Sequence, residues 1–252
     1  MIRSATLARR GALALVALLG SACAPATWPS SGTAPAPAAL NRDPRTIFAA
    51  YLAQQPAQLK MRHQVESTFG DRHEIVQGVM LLARPRQFWL RALGPLGTTL
   101  FDVRQETDGR VVVTKALAQL DDERAPILLA RDIARIYLDD CPPDADLRST
   151  TDGIEARCTL PAPLAPDARD PPPDTTLREL IAPSGLVQQK CFFAGDAATA
   201  CVRYREPTRL GDTWLAREIE LVPAVLPYRL RIVLLDADPS FDVGAAFGRV
   251  AP

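Results

Sequence analysis

The residues to weigh first for catalysis are two histidines and the runs of carboxylates. His63 and His73 fall in or beside stretches of strand-like alternation, with no nucleophile motif near either. The chain contains no Gly-x-Ser-x-Gly and no His-Glu-x-x-His. Both histidines therefore read as surface or strand-end residues. Asp121-Asp122-Glu123 could hold a cation, yet acids ahead of a helix ordinarily form a solvated face that complements the helix dipole. Asp139-Asp140 beside Cys141 has the same reading. The glycines sit at turns and form no phosphate-binding loop. Only a triad assembled across strands is left open. The expectation is a protein that is not an enzyme, with no cofactor, no metal and no catalytic residue.

The N-terminal segment carries chemistry of another kind. Arg3, Arg9 and Arg10 precede an apolar run from Ala12 to Leu19, then Gly20, Ser21 and Ala22 lead to Cys23. This is the layout of an export signal, too short to be a lasting membrane anchor. A cysteine directly after small residues resembles the lipobox of bacterial lipoproteins, whose cysteine is diacylated before cleavage. Leu19 stands one position further from the cysteine than the leucine of that pattern, and Gly20 takes its place. The resemblance implies a lipoprotein signal peptide at 1–22 and a lipid, palmitate included, on Cys23. Ala24 follows the cysteine where inner-membrane lipoproteins often carry Asp, which implies an outer-membrane location facing the periplasm. An ordinary secretory signal, cut near Ala22 or Ala24, is the other reading.

Residues 23–41 are Ala-, Pro-, Ser- and Thr-rich, a composition that buries no core and reads as a tether. Residues 42–237 are of ordinary size for one domain, and 238–252 read as a loose C-terminal tail. With 29 basic against 29 acidic residues and no basic stripe, nucleic acid is an unsuitable partner. A monomer is expected. Besides Cys23 there are Cys141, Cys158, Cys191 and Cys201, an even set that suggests disulfides in an oxidising compartment. Of the three possible connectivities, local sequence favours Cys141 with Cys158 and Cys191 with Cys201, because each pair brackets a turn-rich segment. No Cys-x-x-Cys is present, which disfavours metal.

The elements that must position these residues are mostly strands. Asp43-Pro44 opens a short helix with Ile47, Phe48, Tyr51 and Leu52 on one face. Alternation with a period of two then predicts strands over Met61–Phe69, Glu74–Ala83, Gln87–Leu93, Thr99–Gln105 and Arg110–Thr114. From Pro126, Leu129, Ile133, Ile136 and Tyr137 recur at helical spacing, with Arg131, Asp132 and Arg135 expected to face away. Thr159 to Asp174 is proline-rich and predicts a long surface loop. Strands resume over Thr176–Ile181, Leu186–Phe193, Cys201–Arg205, Trp214–Val222 and Tyr228–Leu235. The fold class is mainly β with α: a curled antiparallel sheet, a half-barrel capped by two or three helices. Such a shape commonly leaves an apolar hollow.

The stretch from Phe88 to Leu100, FWLRALGPLGTTL, resembles LolB, the outer-membrane lipoprotein family that receives other lipoproteins from a periplasmic carrier. There too an apolar strand runs into a Pro-Leu-Gly turn and a second strand. The helix from Pro126 to Leu138 matches that family's helix lid. With the Trp214–Leu221 and Pro227–Leu230 segments, the chain looks closer still to LolB-like lipoproteins often encoded beside aryl-polyene pathways. The resemblance implies a half-barrel around a cavity for acyl chains, with Leu96 as the apolar tip that contacts membrane or cargo. It places Phe88, Leu90, Phe101 and Val103 toward the cavity, although plain core explains those four equally well. The bland account of Leu96 is that its turn folds back and buries it. The functional expectation is an outer-membrane-anchored lipoprotein that binds or transfers a lipid or acylated cargo. The alternative is a non-enzymatic scaffold or interaction subunit of a periplasmic or outer-membrane complex. The four further cysteines and the proline-rich loop depart from the LolB pattern.

Overall fold

Asp43 accepts hydrogen bonds from the N–H groups of Arg45 and Thr46 and so caps helix α1 (Pro44–Ala53). Proline fills its first turn, where a missing N–H costs nothing. The computed structural model describes residues 43–69, 71–116, 125–161, 174–210, 213–224 and 228–248. The N-terminal signal, Cys23, the tether, Asp121-Asp122-Glu123 and most of the proline-rich loop lie outside the described residues.

A first meander contains β1 (Gln58–Phe69), β2 (Arg72–Ala83), β3 (Gln87–Leu93), β4 (Thr99–Gln105) and β5 (Val111–Ala116). Helix α2 (Ala125–Ile133) follows and runs into a π turn at Ala134–Leu138. The second meander contains β6 (Asp146–Thr150), β7 (Gly153–Thr159), β8 (Thr176–Ile181), β9 (Val187–Ala194), β10 (Ala197–Leu210), β11 (Thr213–Pro223) and β12 (Tyr228–Asp238). A short helix, α3 (Val243–Gly248), ends the described chain. All twelve strands form one antiparallel sheet, joined at its middle by β1 and β12, where Val65 stands opposite Ile232. The ends of the sheet are β5 and β6, so it curls without closing. The expected fold class, a curled antiparallel sheet capped by helices, is the one observed.

Period-two patterning decides which face is buried. In β12, Leu230, Ile232 and Leu234 are buried while Arg229 and Arg231 are exposed and reach Glu220 and Glu218 of β11. The concave face holds two clusters. One packs Ile47, Phe48 and Tyr51 of α1 on Ile154, Leu177, Phe192, Val202 and Leu221. The other packs Ala130 and Ile133 of α2 on Leu59, Met80, Leu82, Phe88, Leu90 and Val103. Tyr137 of the π turn touches both.

Several expectations are corrected. Asp132 and Arg135 do not face away but are buried, both 2% exposed. For Arg135 the π turn is the cause, since Asp139 N–H reaches back five residues to Ala134 O and shifts the helical phase; Asp132 precedes that turn and lies one helical turn from Leu129 and Ile136, on the apolar face. His63 is buried rather than at the surface, opposite Gly78 of β2, while His73 is exposed. A Cβ at Gly78 would come within 2.7 Å of His63 Nε2, so glycine there makes room for the imidazole. Strand β10 continues past Pro207, because its bonding to β9 ends at Arg203 and leaves that edge free of ladder partners. The hairpin of β6 and β7, turning at Gly153, was not expected. Nor is the region after Asp238 merely loose: Val243 is fully buried and its N–H donates to Gln58 Oε1.

Candidate functional site

The π turn carries Ile136 and Tyr137 over β10 and β11, and a small cavity of about 80 Å³ lies beneath it. Leu59, Met61, Leu82, Ile219 and Leu234 give the cavity aliphatic walls. A larger open cleft of about 310 Å³ adjoins it, sharing Tyr51, Gln55, Tyr204, Trp214 and Leu215. Its other side is formed by the turn at Ser184 and Gly185, where Gly185 has φ 78° and packs close to Ala50 and Tyr51 of α1. The cleft therefore leads from solvent between α1 and the ends of β9 to β11 toward an aliphatic interior.

A polar group adjoins the cavity through Tyr51, Arg84 and Lys190 of its lining. Arg84, at the end of the β2 to β3 turn region, pairs with Asp140 and donates through its other terminal nitrogen to Gln55 Oε1 at 2.8 Å and Tyr137 O at 2.7 Å. Lys190 of β9 donates to the same Asp140 and to Asp139 O at 2.8 Å. Tyr51 of α1 completes the group. Its hydroxyl lies in hydrogen-bond contact with Asp140 and 2.9 Å from Glu179 Oε1. The Cys141 N–H donates to the other oxygen of Glu179 at 3.1 Å.

Proton counting assigns the state of this group. A phenol has one proton, and Tyr51 touches two carboxyl groups, so one contact needs a proton from the carboxyl side. Burial pushes Glu179 up to about 7. For Asp140 burial acts in the same direction but Lys190 and Arg84 outweigh it, and its carboxyl is held below the usual range. Tyr51 therefore donates to Asp140, whose carboxyl is held ionised, and the second contact is completed when Glu179, raised to about 7, takes up its proton. Burial works against the charge of Lys190, but Asp140 and the groups around it hold its ammonium well above the ordinary value. Burial also raises the neighbouring Asp139 to about 6.

A second buried network ties the other side of the π turn to the sheet. Arg135 donates to Asp174 at 2.8 and 2.9 Å and to Asp132 at 3.2 Å, while Tyr228 of β12 donates to Asp132 and Thr199 of β10 donates to Asp174. The turn is thus held by charged groups at both ends, with Tyr204 donating to Ile136 O at 2.6 Å between them.

The residues expected from sequence are distributed differently. Phe88, Leu90 and Val103 are buried in the core beneath α2, with Phe101 packed against them; none lines the cavity or cleft. Leu96 is fully exposed at the tip of the β3 to β4 turn, with φ 65°, so the turn does not fold back over it. Cys141 is bonded to Cys158 and Cys191 to Cys201, and the latter two face each other in the ladder of β9 and β10. Cys23 lies outside the described residues. Asp139 and Asp140, expected to form a solvated face, are instead half-buried, and Asp140 holds Arg84 and Lys190, two residues of the cavity lining. Among the described residues no three His, Cys, Asp or Glu side chains converge as a metal site requires. No helix there is long and apolar enough to cross a membrane.

Reading the sequence alone missed Arg84, Glu179 and Lys190. A signal for two of them was present. In β8, Leu177, Glu179 and Ile181 share one face, and in β9 Lys190 shares a face with Phe192; a charge on an apolar strand face calls for a partner.

No protein-family model matches the chain, and no curated protein is similar to it in sequence. Solved structures resemble it in fold. One is a LolA superfamily protein from Nitrosomonas europaea, with TM-score 0.51 and 9% identity over 77% of this chain and 92% of that one. Another is a DUF1329 family protein from Desulfovibrio piger, with TM-score 0.50 and 8% identity over 80% of this chain and 94% of that one. At such identity the likeness concerns architecture: the curled, unclosed sheet of this chain is LolA-like.

Proposed function

We propose that the chain is a lipid-handling lipoprotein, held on the periplasmic side of the outer membrane by lipid on Cys23, which binds an acylated cargo between sheet and helices. The observation that carries this reading is the largely aliphatic cavity that shares Tyr51, Gln55, Tyr204, Trp214 and Leu215 with a larger cleft beside it. A cleft of about 310 Å³ is at the small end of ligand sites, and aliphatic walls are what such sites offer an acyl chain. Transfer then follows relative affinity. Each buried methylene is worth about 0.8 kcal/mol, so a chain moves toward the protein that covers more of it. The LolA-like architecture supports the reading, as does the lipobox-like segment before Cys23. Exposed Leu96 is suited to dip into a bilayer during delivery.

The cavity of about 80 Å³ is small, and this favours a second reading, a filled scaffold that serves as an interaction subunit. Titration with a fluorescent fatty-acid analogue separates the two. Saturable binding, with quenching of Trp214 at the cleft, is expected of the lipid binder. A protein that ignores the probe is the scaffold.

A further inference from the structure

The cleft of about 310 Å³ at the C-terminal end of α1 has largely apolar walls and offers an unused donor. Leu186, Val187, Tyr204 and Leu215 on those walls are half-buried, and Pro207 is exposed. Trp214 is half-buried there too, and its indole N–H has no hydrogen-bond partner among the described residues. Arg205 is the charged residue of the lining, and it is paired with Glu218 and Glu220. An occupant therefore needs no charge; it needs apolar surface and a carbonyl for Trp214. Grooves walled by aromatic rings hold proline-rich segments in the polyproline conformation, whose carbonyls make no internal hydrogen bonds and are free to accept from an indole N–H.

The chain itself carries such a segment. Residues 23–42 contain Pro25, Pro29, Pro35 and Pro37, and their one charged residue is Arg42. They join α1 at Asp43, and this helix of 10 residues runs about 15 Å from its cap to Gln54 and Gln55 at the cleft. A polyproline segment advances about 3.1 Å per residue, so about five residues lead back along the helix from Arg42 to the cleft. The next residues to reach it are Pro37, Ala36, Pro35 and Ala34.

We propose that Ala34-Pro35-Ala36-Pro37 docks in the cleft of its own molecule, antiparallel to α1, with Trp214 donating to one of its carbonyls. Docked, it fills space that an acyl chain would use, so segment and cargo compete. The docking stands on its own; the competition rests on the lipid-binding reading above.

The test uses the full chain with the photoreactive residue p-benzoylphenylalanine in place of Ala36, in a segment that buries no core. After irradiation, mass spectrometry is expected to find cross-links within one molecule to residues 184–188 and 204–216. A second measurement compares the unaltered chain with Pro35→Gly/Pro37→Gly, which removes the polyproline bias, using dansylaminoundecanoic acid as the probe. The substituted chain is expected to bind it about tenfold more tightly, as when about one unaltered molecule in ten has its cleft free. Equal affinity overturns the competition. A probe that binds neither chain overturns the lipid reading, and the cross-links then decide the docking alone. Cross-links confined to other surfaces, or to other molecules, overturn the docking whatever the probe shows.

Discussion

Glu179 and Lys190 stand directly opposite each other in the β8 to β9 ladder, both buried, with the ammonium 3.7 Å from the carboxyl oxygen. They are not equal partners. Lys190 is tied mainly to Asp140, while Glu179 holds a proton for Tyr51. Lys190→Met leaves Asp140 paired with Arg84 but removes its second cation and the donor to Asp139 O, and is expected to cost about 1.5–3 kcal/mol, the worth of a hydrogen bond to a charged group. Glu179→Gln keeps a donor toward Tyr51 and an acceptor for the Cys141 N–H, and is expected to cost about 1 kcal/mol or less. Urea unfolding of the two variants checks this, and equal losses would contradict the protonation assigned to Glu179.

His63 gives a prediction with a definite sign. Burial depresses it from 6.5 to about 4. The unfolded chain then takes up a proton below pH 6.5 that the native state refuses until near pH 4. Its contribution is fully present above pH 6.5 and is lost as pH falls through that window, by on the order of 3 kcal/mol. Glu179 acts oppositely, since a carboxyl raised to about 7 makes the native state bind the proton first. The effect of His63 is therefore read as a difference. Relative to His63→Leu, the unaltered protein should lose stability between pH 6.5 and 4; parallel pH profiles would refute the assignment.

The disulfides are expected to contribute roughly 2–4 kcal/mol apiece. Peptide mapping without reductant should recover Cys141 linked to Cys158 and Cys191 linked to Cys201. Crossed links or free thiols would contradict the pairing seen here.

Much of the architecture was legible because the sheet is amphipathic. Alternation located β3, β4 and β8 to the residue and identified most of β1, β2 and β12. What escaped has physical causes. β6 is almost wholly exposed, so Asp146–Thr150 shows no apolar alternation, and a π turn breaks the helical period that placed Arg135 outside. Cavity and core were indistinguishable at Phe88, Leu90, Phe101 and Val103, because inward residues look alike in sequence whether or not a void lies beside them. The polar group beside the cavity draws Tyr51, Arg84, Asp140, Glu179 and Lys190 from separate elements, and only the folded chain brings them together.

Leu96 lies in the left-handed backbone region with its side chain in solvent. Aspartate is tolerated in that conformation, and an exposed leucine contributes no core packing. Leu96→Asp is therefore expected to change stability by no more than about 0.5 kcal/mol while weakening association with liposomes. Cosedimentation together with thermal unfolding tests both halves. Unchanged liposome binding removes the role given to this tip.

Lipidation is tested by metabolic labelling with a palmitate analogue. Cys23→Ala should abolish the label, and persistent labelling would place the lipid elsewhere.

The central claim is that the concave face carries lipid. Its most direct test is to extract the protein, purified from its native compartment without detergent, with organic solvent after release of the N-terminal anchor, and to analyse the extract by mass spectrometry. The account predicts acyl-chain species in stoichiometric amount, reduced when Leu82 or Leu234 on the cavity wall is replaced by a bulkier Trp that fills the space. An extract free of lipid from a protein that also takes up no added fatty acid would contradict it.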